Sequence, residues 1–298
     1  MYKQALYPGL LALLAKAALM ISSPAWADTQ AFTLAVIADC QYADKDNKGE
    51  RLYRSCPDKL QQAVQDINRH QTKGTLHLGD FIDQDFDSYA RLKAITANSK
   101  TPFYHVLGNH EFDVAEQYKG LITQTLDMPD RYYQFDIGQW RFITLDGNDV
   151  SHHGWPSDSA RHQQNLALIA KQYALGATWN GAIGEDQLNW LDGQLQQATD
   201  EQKKVVLLCH FPLYPADPHQ LWNHQQVMAV ISRYPVVKAW FNGHNHKGDY
   251  GRHNGIHFVT FHAMLDTPQT AYSLVEFTDN AIHIKGKGRQ PDLQLRLD

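Results

Sequence analysis

The stretch Phe32-Thr33-Leu34-Ala35-Val36-Ile37-Ala38, followed at once by Asp39-Cys40-Gln41, decides the fold class. A continuous apolar run rich in branched residues, with no polar alternation, predicts a strand buried on both faces, and such strands belong to sheets covered on both sides. A carboxylate and an amide then arrive at the strand's carboxyl end, where α/β sheets bind their ligands. The same grammar recurs four times. Gly79-Asp80-Phe81-Ile82-Asp83 follows a strand expected over residues 75–78, and Gly108-Asn109-His110-Glu111 one over 103–107. His210 emerges from an expected strand over 205–209, and Gly243-His244-Asn245-His246 from one over 236–241. Any one of these is an ordinary turn. Five in series put polar groups repeatedly where buried chain emerges, which is costly unless they share a partner.

Segments with helical spacing separate the strands, at residues 51–69, 88–97, 160–173, 185–197 and 220–232, and a further strand is expected over 141–145. Alternating strands and helices imply an α/β architecture. Closely spaced strands at 257–262, 272–277 and 281–285 leave little room for helices and predict an antiparallel edge. No linker, charge block or repeat interrupts the chain, so one domain is expected over residues 28–298. The polar, Trp-containing stretch 147–184 is expected to cover the strand ends as a lid or rim.

With 43% hydrophobic and 20% charged residues over 298 positions, the chain is globular rather than disordered. Residues 1–27 read as a secretory signal peptide: Lys3, an apolar run over 10–21 broken by Lys16, and Ala25-Trp26-Ala27 as the cleavage site. Export to the periplasm or beyond is the expectation, with no membrane attachment after cleavage. Basic residues number 27 against 32 acidic, so nothing draws the chain to nucleic acid or anionic lipid, and no protein partner is implied. Cys40, Cys56 and Cys209 allow at most one bridge. Cys40 and Cys209 each adjoin a candidate ligand and are possible neighbours, although small buried residues at strand ends is the simpler reading.

Sixteen histidines exceed what packing requires and call for chemistry. Loops at the ends of neighbouring strands converge, so Asp39, Gln41, Asp80, Asn109, His210, His244 and His246 can surround one point. Carboxylate, amide oxygen and imidazole together suit a divalent first-row metal. The glycines before Asp80, Asn109 and His244 permit the sharp turns this requires.

At these motifs the chain resembles the calcineurin-like metallophosphoesterase superfamily, whose pattern is D-x-H, GDxxD, GNHE, H and GHxH. Within it, ADCQYAD (38–44), RLYR (51–54), EDQLNWL (185–191), HFPLYP (210–215) and GKGRQPD (286–292) are similar to the manganese-dependent ADP-ribose/CDP-alcohol diphosphatase family. The resemblance implies a four-layer α/β/β/α sandwich and two divalent ions. Asp39, Gln41, Asp80 and His246 would hold one, and Asp80, Asn109, His210 and His244 the other. His110 would protonate the leaving oxygen and Asp83 would orient His110. Gln41 stands where most relatives carry His; its harder oxygen tilts that position toward manganese or magnesium and away from iron or zinc. No tyrosine ligand occupies position 82 or 83, against a purple acid phosphatase.

The implied substrate is a small nucleoside-diphosphate-X molecule such as ADP-ribose or a CDP-alcohol, cleaved to a nucleoside monophosphate and a phosphorylated alcohol or sugar. Tyr42, Phe112, Trp179 and Tyr214 are candidates to stack on the base, and Arg51, Arg54 and Arg289 to meet the second phosphate. The loop over 44–50 is shorter than in relatives. The competing readings are a broader phosphodiesterase or phosphomonoesterase, and a catalytically silent scaffold. His110 and the full ligand set count against the scaffold.

Overall fold

A computed structural model describes residue 1 and residues 31–297; the expected leader, apart from its first residue, lies outside the described part. In chain order the elements are β1 (Phe32–Ile37), α1 (Cys56–Ile67), β2 (Thr72–His77), α2 (Ser88–Thr96), β3 (Phe103–His105), α3 (Glu116–Lys119), α4 (Ile122–Thr125), β4 (Tyr133–Ile137) and β5 (Trp140–Thr144). They continue as α5 (Ala160–Gln172), α6 (Glu185–Asp200), β6 (Lys204–Leu208), α7 (His224–Ile231), β7 (Val237–Asn242), β8 (Asp249–His253), β9 (Ile256–Thr260), β10 (Ala271–Phe277), β11 (Ala281–Gly288) and β12 (Leu293–Arg296).

The strands form two six-stranded sheets, ordered β12-β11-β10-β1-β2-β3 and β4-β5-β6-β7-β9-β8. Leu34, Val36, Leu76 and Val275 of the first sheet meet Phe142, Val206, Leu208 and Phe241 of the second in a core between them. The opposite faces are covered by helices. Apolar residues of α1 at Leu60, Ala63, Val64 and Ile67 share one face at helical spacing, and with α2 they pack on Ala35 and Ile37. Leu191, Leu195 and Ala198 of α6, with Val227 and Ile231 of α7, cover Val205, Leu207 and Trp240. The result is the expected α/β/β/α sandwich, and it explains why β1 and β6 are apolar on both sides.

The carboxyl-terminal strands depart from expectation. β9 lies inside the second sheet, parallel to β7, and β10 lies inside the first, beside β1. The chain thus crosses from one sheet to the other over residues 261–270, passing beneath the ligand loops. β4, β8 and β12 escaped the sequence reading because their outer faces are largely exposed and carry no continuous apolar run. The cysteine pairing also differs: Cys40 bonds to Cys56, and Cys209 is free and buried in the outer core of the second sheet. Cys40 and Cys209 belong to different sheets, while α1 brings Cys56 directly over the end of β1. Among the described residues no helix is long and apolar enough to cross a membrane.

Candidate metal centre

All seven candidate ligands follow the ends of β1, β2, β3, β6 and β7, and the loops are stitched together by main-chain bonds. Asp39 N–H donates to Gly79 O (3.2 Å), and Gln41 N–H to Asp80 O (2.7 Å). Asp39, Gln41, Asp80 and His244 all sit at positive φ, between 47° and 68°. Left-handed backbone at four non-glycine residues is strain of the sort that surrounding structure maintains at functional sites. Of the three preceding glycines, only Gly79 uses its conformational freedom, at φ 93°. Gly108 and Gly243 serve close approach instead: a Cβ there would collide with the carboxylates of Asp80 and Asp39.

Asp80, His210 and His244 each offer a ligand atom within 4.8 Å of one another, all buried. His210 Nε2 lies 3.2 Å from Asp80 Oδ2 and 3.1 Å from His244 Nδ1, and His246 Nε2 lies 3.8 Å from Asp39 Oδ1. The far nitrogen of each imidazole is anchored on an oxygen. His210 Nδ1 meets Leu78 O (2.8 Å), His244 Nε2 meets Asn180 Oδ1 (2.9 Å), and His246 Nδ1 meets Asp266 Oδ1 (3.1 Å). This fixes the tautomers and leaves one bare nitrogen per ring facing inward, as metal ligation requires. Gln41 Oε1 and Asn109 Oδ1 are buried with no hydrogen-bond partner, a loss that a cation at the centre would repair. The residues present therefore fit a pair of divalent ions.

Before an ion binds, these groups hold one another's charges, so His210 sheds a proton on ligation. Burial pushes Asp39 up, and Asp80 is held well below the carboxylate range because His210 and His110 outweigh its burial. Burial alone would depress His210, but the Asp80 carboxylate lifts it to about 9, whereas His244, buried beside His210, is driven well below its usual value. His110 is lifted to about 9 against its burial by Asp80 and Asp113. Its Nδ1 lies 2.9 Å from the Asp83 carbonyl and 2.9 Å from Asp113 Oδ2, but 3.9 Å from the Asp83 carboxylate, which pairs with Lys45. The main chain of Asp83 and the side chain of Asp113 thus hold the ring in place of the Asp83 carboxylate.

A cleft of about 500 Å³ opens over these residues, lined also by Lys48, Arg51, His110, Trp179 and His219. Of the expected substrate contacts, Arg51 and Trp179 line it. The other five are drawn into their own scaffold. Tyr42 and Phe112 are buried in the core beneath Arg91 and Arg131, and Tyr214 stacks on His253. Arg54 pairs with Asp44 (2.5 Å) and Asp46 (2.8 Å), and Arg289 donates to Ala263 O (2.5 Å). Sequence reading missed Lys48, Asn180, His219, Asp266 and Asp113. Only the last had a local signal, three residues after His110.

The family model for calcineurin-like phosphoesterases matches residues 32–248. A manganese-dependent ADP-ribose/CDP-alcohol diphosphatase of Oryza sativa subsp. japonica is 31% identical over 89% of this chain and 94% of its own length. The Homo sapiens protein of that name is 28% identical over 88% and 91%. The crystal structure of a dimetal phosphatase from Danio rerio superposes with a TM-score of 0.82 at 26% identity, covering 90% of this chain and 99% of that one. Manganese and a metal pair thus attach to the relatives, and the donor set here suits both. The chain belongs to the calcineurin-like phosphoesterase family, as a hydrolase of phosphoric esters that depends on two divalent ions, manganese foremost.

Proposed function

We propose that the protein cleaves the diphosphate bond of nucleoside-diphosphate-X substrates, ADP-ribose and CDP-alcohols among them, releasing a nucleoside monophosphate and a phosphorylated sugar or alcohol. The observation that carries this reading is the cleft's own lining: two further cationic groups, Lys48 and Arg51, with the imidazole of His219 and the half-exposed Trp179, ring a centre already able to neutralise one phosphate. A second phosphate has partners there, and a base has a face to stack on. The names of the relatives point to the same substrates.

In this reading Asp39, Gln41, Asp80 and His246 hold one ion, and Asp80, Asn109, His210 and His244 the other. When bound, the ions supply charge neutralisation at the phosphoryl oxygens and acidify water. The chain's own groups do the rest. His110 has its Nδ1 committed to Asp83 and Asp113, which leaves Nε2 to hand a proton to the leaving phosphate oxygen. Lys48 and Arg51 draw the second phosphate away from the ions, which aligns the scissile bond. The leader over residues 1–27 and the buried Cys40–Cys56 bond, a linkage of oxidising compartments, both support export.

The test is turnover by metal-stripped protein of ADP-ribose, CDP-choline and a chromogenic phosphodiester, with and without Mn²⁺. Manganese-dependent release of AMP and CMP, at kcat/KM roughly tenfold or more above the chromogenic ester, is the expected result. Equal or faster cleavage of the chromogenic ester favours a broad phosphodiesterase, the reading that the small number of substrate groups in the cleft would suit. No turnover of any ester with any divalent ion leaves the scaffold.

A further inference from the structure

Lys59, on the first turn of α1, is buried, and the three N–H donors of its ammonium are shared among four successive main-chain carbonyls: Met264 (2.9 Å), Leu265 (3.2 Å), Asp266 (3.4 Å) and Thr267 (2.6 Å). Arg289 caps the carbonyl before them, that of Ala263. Carbonyls turned toward one buried point repel one another and have lost water, so the cation is what allows the segment to curl. That segment reaches the metal centre on two sides. Met264 N–H donates to Ala38 O and Leu265 N–H to Asp39 O (2.9 Å each), while Ala263 N–H donates to His246 O (3.1 Å). Asp266 anchors the His246 ring. The same helical turn has a second hold: Cys56 is bonded to Cys40, which lies between Asp39 and Gln41, and Cys56 Sγ touches Met264 Sδ at 3.9 Å. The rings of His210 and His244 are anchored instead by Leu78 O and Asn180 Oδ1.

We infer that the first turn of α1 positions one metal ion of the pair, the one assigned to Asp39, Gln41 and His246, with Lys59 as its positioning residue. The inference rests on the ligand assignment proposed above. Neutralising Lys59 lets the 263–267 segment relax, so that Asp266 no longer fixes the His246 ring and the Asp39 turn loses its brace. The ion of Asn109, His210 and His244 keeps its own supports.

The test is Mn²⁺ binding to the full chain after chelation, followed by calorimetry and electron paramagnetic resonance, in Lys59→Met, Lys59→Arg, Gln41→Ala and Asn109→Ala. Gln41→Ala and Asn109→Ala identify which binding step belongs to which ion. Lys59→Met should weaken the Gln41 step by roughly tenfold or more and leave the other within about twofold, with kcat restored by excess Mn²⁺. Lys59→Arg, which keeps the charge, should lie between Lys59→Met and the unaltered chain. Treating the unaltered chain with a thiol reductant should weaken the same step by a smaller factor, and this arm together with Lys59→Arg decides the matter if Lys59→Met fails to fold. Equal weakening of both steps, weakening of the Asn109 step alone, or a fall in thermal stability with neither step changed would overturn the inference. If Gln41→Ala and Asn109→Ala move one and the same step, the ligand assignment fails instead, and the response of that step to Lys59→Met still decides whether Lys59 acts on metal binding.

Discussion

Two turns meet at the metal centre and are braced by buried charges of opposite sign. The Asp80 turn and Gly108 rest on Glu111, a fully buried carboxylate that accepts the N–H groups of Asp80 (2.8 Å), Phe81 (2.6 Å) and Gly108 (2.6 Å). The Asp39 turn rests, through residues 263–267, on Lys59 and its four carbonyls. Where a ligand loop turns its amides inward an anion holds it, and where it turns its carbonyls inward a cation does. The difference lies in where the charge comes from. Glu111 belongs to the same Gly108–Glu111 motif as Asn109 and His110, so that brace is largely local. Lys59 comes from a helix and acts on a segment more than 200 positions away, so that brace forms only when α1 has docked over the segment that joins the two sheets. The first wall should therefore carry chemistry and rigidity, and the second should carry adjustable metal affinity.

The largest effect expected from this contrast is on the Glu111 side. His110→Ala should lower kcat roughly 10³-fold, about 4 kcal/mol of barrier, with both ions retained. The loss should be smaller for esters whose leaving group needs no proton, such as nitrophenolate. Kinetics at saturating Mn²⁺ on both ester types check this, and equal losses would strip His110 of its role as acid. Next comes the brace itself. Glu111→Ala leaves three buried amides without an acceptor and should cost about 3 kcal/mol or more of stability in chelator-treated protein, measured by urea unfolding. Lys59→Met, whose partly buried carbonyl segment can relax toward water, should cost less, about 1–2 kcal/mol in the same assay. Were the two losses alike, the distinction between a rigid wall and an adjustable one would have no basis.

Behind the Asp80 wall lies a pair of histidines with no metal role. His77 and His105 are buried, with their Nδ1 atoms 3.2 Å apart, so one donates and the other accepts. Burial holds His105 down to about 4 and His77 well below its usual value. Both are neutral in the fold, while the unfolded chain protonates them near 6.5. Stability from His105 is therefore complete above pH 6.5 and declines as pH falls toward 4, by up to about 3 kcal/mol. Unfolding measured across that range should show this slope, and His77→Leu/His105→Leu should flatten it relative to the unaltered chain. An unchanged slope would place the pH sensitivity elsewhere.

These histidines also show where sequence reading reached its limit. The surplus of histidine pointed correctly to chemistry, yet His77 and His105 are buried packing residues and the part-buried His153 is tied to Asn148, and composition cannot tell a packed imidazole from a ligand. The strands ending in Asp39, Asp80, Asn109, His210 and His244 were legible because double-sided burial and an immediate polar turn leave a local mark. The Cys40–Cys56 bond, Lys59 and the inner positions of β9 and β10 left none, since each depends on which layer docks where. The aromatic and basic residues near the motifs were legible only as positions. Whether Tyr42 or Trp179 faces the cleft is decided by side-chain competition with Arg91 and the core.

The smallest expected effect concerns a group on neither brace. His219 leans on His244, ring centroids 5.2 Å apart, and its Nδ1 lies 2.6 Å from Asp217 Oδ1, leaving Nε2 for the cleft. Asp217 is held in turn by Asn245, which donates to its other oxygen at 2.7 Å between the two ligand histidines. An imidazole steadied this way can meet an anionic oxygen without touching the reacting bond, so its contribution is to binding rather than to the barrier. His219→Gln should raise KM for a diphosphate substrate roughly tenfold while kcat stays within about twofold, and should leave a single-phosphate ester nearly unaffected. Asp217→Asn, which keeps the shape and loses the charge, should give a weaker version of the same pattern. A fall in kcat equal for both ester types would instead make His219 a support for His244, and the proposed preference for two phosphates would then rest on Lys48 and Arg51 alone.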